Sequence, residues 1–188
     1  PVTGHAQPVA TKPVRNAATT ELYRLFDDEW ERSMREYPEE ASNRGDKRYN
    51  DRWTDMSMVA IQSRMGDDRK ALERLRAIDR KALSESDQLN YDVMAWDLEK
   101  SVERQKYREY LRPVSQRGGI QNAEGIAEVL PFASVKDYRD WLARMQALPV
   151  AIEQTQALMR EGVAAGNTPP RVLMERVVGQ LQAQIVDD

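Results

Sequence analysis

The sequence predicts an all-α fold of about six helices, stacked in more than one layer around a central helix near residues 84–112. Three observations predict it. Apolar residues recur at i, i+3, i+4 and i+7 along most of the chain, which is the spacing of one helix face. Ser or Thr stands before these stretches and Pro or Gly after them, as helix starts and stops require. The stretch Ser84–Pro113 carries two stripes rather than one: Leu89, Val93, Trp96 and Tyr91, Ala95, Leu98, Val102. At about 100° per residue the stripes are nearly opposite. A helix apolar on two faces is expected to lie between other helices, which puts this one at the centre.

Residues 1–17 hold Pro1, Pro8 and Pro13 among small and polar residues. With no hydrophobic periodicity, the stretch reads as a disordered leader. Such leaders often follow a removed secretory signal, and an ordinary frayed terminus has the same composition. Residues 18–188 read as one helical domain. The first helix is expected from Thr20 to Tyr37, capped by Thr19 or Thr20. Leu22, Leu25, Phe26, Trp30, Met34 and Tyr37 are its apolar stripe, and Pro38 ends it. Glu39–Trp53 reads as a connection rich in turn formers and packed by Tyr49 and Trp53. Ser57 caps a second helix running to Asp79, with Ile61, Met65, Leu72, Leu75 and Ile78 inward and residues 67–70 exposed.

Ser84 opens the expected central helix, with Asp87 at the reciprocal capping-box position. Pro113 closes it, because the residue before a proline is pushed out of the helical region. The following stretch is the least helical. Gly118-Gly119 allows backbone shapes that other residues avoid. It is not a phosphate loop, since no Gly-Lys-Ser/Thr follows. Residues 120–130 read as a short helix or an irregular strand. Ser134 and Asp137 mark the next helix start, with Tyr138, Trp141, Leu142, Met145 and Leu148 as its stripe. Pro149 starts or kinks another helix that stops at Gly166-Asn167. Thr168 and Pro169 fit the cap and first position of the last helix, which carries Leu173, Val177, Val178, Leu181 and Ile185. Only Asp187-Asp188 follows the last stripe closely, which reads as the N-terminal portion of a longer polypeptide.

Composition bounds the function. Acidic residues number 31 and basic residues 28, for a net charge of -3. That balance leaves no electrostatic footprint for nucleic acid. No apolar run reaches the ~20 residues that span a bilayer. There is no Cys, and the single His is His5, in the leader. Zinc sites and catalytic triads draw on these residues, so no metal ligand and no catalytic residue is assigned. Catalysis by this chain alone would need carboxylates, Lys, Tyr or Ser. The acidic pairs Asp27-Asp28, Glu39-Glu40 and Asp67-Asp68 are sequence neighbours, and neighbours on a helix do not converge.

Five runs in order carry a resemblance: Tyr49–Ser57, Leu83–Glu99, Gln116–Gln121, Pro131–Pro149 and Gly166–Val177. Together they resemble the N-terminal part of the bacterial family called domain of unknown function 885, over about residues 21–185. The resemblance implies a long, mostly helical, exported protein similar to zincin metallopeptidases. It places the zinc motif downstream of Asp188, so zinc is expected only in a longer form. The implied partners are the C-terminal remainder of the same protein and a peptide substrate. The implied location is periplasmic or otherwise extracytoplasmic. Arg117, Gly118 and Gly119, in a family-like run at a non-helical point, are the candidates for substrate contact in the cleft, against a plain turn as the simpler role. Two rivals stand beside this reading. One is a stand-alone helical module that binds a partner in its groove. The other is a His-free enzyme that uses carboxylates. The cleft-forming reading requires an exposed apolar patch for the missing part. The module requires a well-covered surface. The enzyme requires two buried carboxylates that face each other.

Overall fold

A computed structural model describes residues 16–185. Among them are six α-helices and several short 3-10 segments, with no strand. α1 (Ala17–Glu36) begins at Asn16, whose side chain accepts from the Thr19 N–H at 2.8 Å and donates to the Ala82 carbonyl at 2.6 Å. Asn16 caps α1 and Ala17 opens it, so these two do not belong to the leader expected over 1–17, and the rest of that stretch lies outside the described residues. Pro38 ends α1 and opens α2 (Pro38–Asn43), where its missing N–H costs no helical bond. That short helix replaces the first part of the expected connection. Lys47–Tyr49 adds one 3-10 turn.

α3 (Met58–Arg76) starts at Ser57, as its hydroxyl cap predicts. α4 (Glu85–Arg104) starts at Ser84, but the capping box does not close. The Asp87 carboxylate instead accepts from Thr19 Oγ1 at 3.3 Å and Tyr23 Oη at 3.1 Å, tying α4 to α1. Leu22, Leu25, Ala71, Leu72, Leu75, Ile78, Leu83 and Leu98 form the main core between α1, α3 and α4. A second, smaller core joins Ile61, Leu111 and Leu158. α3 contributes to both.

The placement of 84–112 as a central helix is corrected on two points. Only one of its stripes is covered: Leu98 is buried, with Tyr91, Ala95 and Val102 packed beside it. Leu89, Val93 and Trp96 are 64%, 61% and 62% exposed. α3 therefore occupies the middle, and α4 is an outer helix. The helix also ends at Arg104, well before Pro113. Arg108 takes φ 49° and ψ 44°, and the chain continues as two 3-10 turns, Gln105–Tyr107 and Glu109–Leu111. Contacts from later in the chain hold this break. Asn167 Nδ2 donates to the Tyr107 and Arg108 carbonyls, each at 3.2 Å. Leu111 buries itself in the second core.

Asp68 also departs from its expected exposure. Its carboxylate takes Arg32 from α1 at 2.8 Å and Ser101 Oγ from α4 at 2.6 Å. Arg32 also pairs with Glu29 at 2.6 Å and Glu36 at 3.1 Å. This network clasps α1, α3 and α4 at one edge of the core.

Residues Ile120–Val129 form a 3-10 segment with a kink at Asn122. α5 (Val135–Ala164) then runs for 30 residues, about 45 Å at 1.5 Å per residue. It passes through Pro149, so the two expected helices are one. Here the capping box closes: Asp137 N donates to Ser134 Oγ at 3.3 Å, and Asp137 Oδ2 accepts from Ser134 N at 2.9 Å. The inward face of α5 is Asp137, Arg144, Ala151, Thr155, Leu158 and Gly162. Of the expected stripe, Tyr138, Leu142 and Met145 are exposed, while Trp141 and Leu148 are half-buried. α6 (Arg171–Gln182) begins after Pro170 rather than at Pro169. Pro169 precedes a proline, and that position disfavours helical geometry.

Candidate functional site

The candidate residues sit where the chain leaves the second core. Ser115 and Gly118 close a tight turn, with Ser115 N donating to the Gly118 carbonyl at 2.8 Å. Arg117 stands at the exposed tip of that turn. Gly119 has φ 142°, a conformation that L side chains rarely adopt. A Cβ there would lie 3.1 Å from Val114 Cα and 3.2 Å from the Pro113 carbonyl oxygen, and would collide with the Gln121 carboxamide. Gly119 is thus required by backbone shape and by space together.

Of the three candidates, Gly119 lines a cleft. That cleft has a volume of about 570 Å³. Trp53 and Thr54 line one side, Gly119, Ile120 and Ile126 the second, and Thr155 of α5 the floor. Glu39 fixes the first wall, accepting from Thr54 Oγ1 at 2.5 Å and Thr54 N at 3.1 Å. Tyr37 stands at the same mouth, and burial pushes its phenol above the ordinary value. Glu40 pairs with Arg44 at 2.7 Å.

Behind Trp53 lies Arg144, fully buried. Its guanidinium stacks on the Trp53 ring, 5.4 Å from the centroid. Nη2 donates to Ser42 Oγ at 3.1 Å and to the Tyr49 carbonyl at 3.0 Å, while Nε and Nη1 have no partner. Burial lowers its pKa, and Glu39, Asp51 and Asp140 oppose that from a distance. In return Trp53 Nε1 donates to the Arg144 carbonyl at 2.7 Å. Gln154 Oε1 accepts from Met56 N at 2.9 Å. These bonds anchor the 49–56 segment on α5 and so set the cleft's width.

A second cleft, of about 590 Å³, lies on the other side of Ile120–Val129. It runs between that segment, α5 and α6. Ile120, Ala123 and Thr155 belong to both walls. α6 is held across it by Gln180 Nε2, which donates to the Gln116 carbonyl at 3.0 Å, and by Gln184 Nε2, which donates to the Gln121 carbonyl.

Of the residues lining the two clefts, the sequence pointed to Gly119 as a site residue and to Trp53 as a packing residue of its connection. It missed Arg144 and the glutamines. A usable signal was present: Asp137, Arg144, Ala151, Thr155 and Leu158 recur at helical spacing, but they mix polar with small residues and do not read as an inward face. Among the described residues no group of three or more His, Cys, Asp or Glu side chains is placed to hold a metal ion. No described helix is long and apolar enough to cross a membrane. The geometry is that of a surface with two clefts.

No curated protein and no solved structure matches the chain. One family model does, described as bacterial protein of unknown function (DUF885), over residues 38–188. The match begins at α2, so α1 lies outside it. It spans both clefts and most of both cores, and the chain belongs to this family.

Proposed function

We infer that this chain is the helical, cleft-forming part of an exported protein resembling the zinc metallopeptidases, and that it acts joined to a remainder that carries the zinc site. One observation carries the reading: two helices turn apolar stripes outward. Leu89, Val93 and Trp96 do so on α4, and Val135, Tyr138 and Leu142 on α5. Contiguous apolar surface of this kind marks a contact face. A stand-alone module calls for the opposite, a covered surface. In this reading Gly119 shapes the wall along which a peptide would lie, and Arg117 and Gly118 border its entrance.

The test compares this chain with a longer natural form that includes downstream sequence. The longer form should hold stoichiometric zinc and hydrolyse peptides, whereas this chain should do neither. Trp96→Glu and Leu142→Glu should weaken the longer form's activity while leaving the helicity of this chain unchanged. A longer form with neither zinc nor peptidase activity would remove the peptidase reading.

A further inference from the structure

The second cleft differs in kind from the exposed stripes. It is walled on three sides, and its volume of about 590 Å³ lies within the range of small-molecule sites, roughly 300–1,000 Å³. Trp141, Leu148, Ile152 and Val177 give it an apolar wall, and Met145, Met159 and Met174 add adaptable, polarisable side chains. Among the described residues, Glu124 is the only ionisable one in that wall. Arg160 and Arg176 lie outside it, where they donate to Gln156 Oε1 and Gln116 Oε1.

Around Gln121 and Glu124 the polar edge of the cleft is short of donors. Thr155 Oγ1 donates to the Ala151 carbonyl, and Gln121 Nε2 to the Ser115 carbonyl at 2.6 Å. Gln184 Nε2 bonds the Gln121 carbonyl and Glu124 Oε2. Trp141 and Gln156 bring N–H groups to other parts of the wall, but at the Gln121 and Glu124 end acceptors are in excess. Gln121 lines the cleft at 1% exposure, and its Oε1 receives no hydrogen bond. Buried acceptors in native proteins nearly always have a donor.

We propose that this cleft binds an amphiphile with an apolar chain or ring and a hydrogen-bond-donating amine or amide head. The apolar part fills the methionine-lined wall. The head donates to the acceptor edge formed by Gln121 Oε1 and Glu124. A carboxylate head would meet the Glu124 charge and find acceptors where it needs donors. Every residue involved belongs to this chain, so the proposal stands apart from the peptidase reading.

The probe is N-phenyl-1-naphthylamine, a neutral apolar fluorophore with one N–H. Its fluorescence should rise on binding the full chain. Octylamine and octanamide should displace it at concentrations about tenfold or more below those needed for octanoate. Glu124→Gln should weaken octylamine several-fold and leave octanamide unchanged. Val178→Trp and Gln156→Trp, at exposed wall positions, should each lower probe affinity about tenfold with helicity retained on circular dichroism. Displacement by octanoate as effective as by octylamine overturns the head-group assignment. Unchanged probe affinity in both tryptophan variants overturns the site. Failure of the unsubstituted chain to bind the probe overturns it as well, and would assign the cleft to protein contact instead.

Discussion

Arg144 is among the largest side chains that are fully buried, and among the described residues no carboxylate forms an ion pair with it. A buried cation is costly unless it is well partnered. Here the compensation is spread over Ser42, the Tyr49 carbonyl and the Trp53 ring, with three carboxylates further off. No rule of sequence reading sends a helical arginine inward, so its spacing with Asp137, Ala151 and Leu158 was present but did not read as a buried face. Leu98 and Trp96 show the same limit from the apolar side. They are near neighbours on α4, yet one is buried and the other 62% exposed. Leu98→Ala should cost ~2–5 kcal/mol in urea unfolding. Trp96→Ala should shift stability by no more than about 0.5 kcal/mol, and a larger loss would mean that its ring is covered in solution. Asp137 gives a pH signature. Burial raises its pKa, but the Ser134 hydroxyl and the backbone N–H groups of Ser134 and Ala133 outweigh this and hold it below the ordinary value. A depressed carboxylate pKa stabilises the fold above the unfolded value, and that gain is lost as pH falls through the folded one. Asp137→Asn should therefore be less stable at neutral pH, with the difference fading below about pH 4. A gap between the two proteins that stays constant across pH 2–7 would count against this account.

At the scale of elements, starts were more legible than ends. Ser57, Ser84 and Ser134 each cap a helix, because a hydroxyl before an apolar repeat is local information. The end of α4 depends on Asn167, 60 residues away in sequence, and could not be read from Gln105 onward. Faces were the least legible. The outward stripe of α5 has the spacing of an inward one, and only the packing partners of Arg144 and Gly162 decide between them. Gly162 marks the closest approach of α5 to the 109–111 turn. A Cβ there would sit 2.6 Å from the Leu111 carbonyl oxygen and 3.0 Å from that of Asn167. Gly162→Ala should destabilise by about 1–3 kcal/mol, through overpacking against backbone. Gly179 lies inside α6 with nothing within 4 Å of a Cβ. Gly179→Ala should be neutral or stabilise by up to about 1 kcal/mol, from helix propensity alone. Melting temperatures that moved in the same direction for both variants would contradict the packing described for α5.

On the scale of the molecule, the all-α class was legible, because it follows from composition and period. The arrangement was not. It places α3 at the centre and splits the hydrophobic interior into two cores, and it depends on long-range polar joints. Several of those joints share one chemistry: a side chain on one element grips the backbone of another. Asn16 holds the Ala82 carbonyl, Gln105 that of Met65, Trp53 that of Arg144, Asn167 those of Tyr107 and Arg108, and Gln180 that of Gln116. A carbonyl is the same whatever side chain it carries. Across the family, then, the gripped positions are free to drift while the gripping residue stays, and the two columns need not change together. Correlated substitutions, which reveal contacts between pairs of side chains, would be silent at these joints.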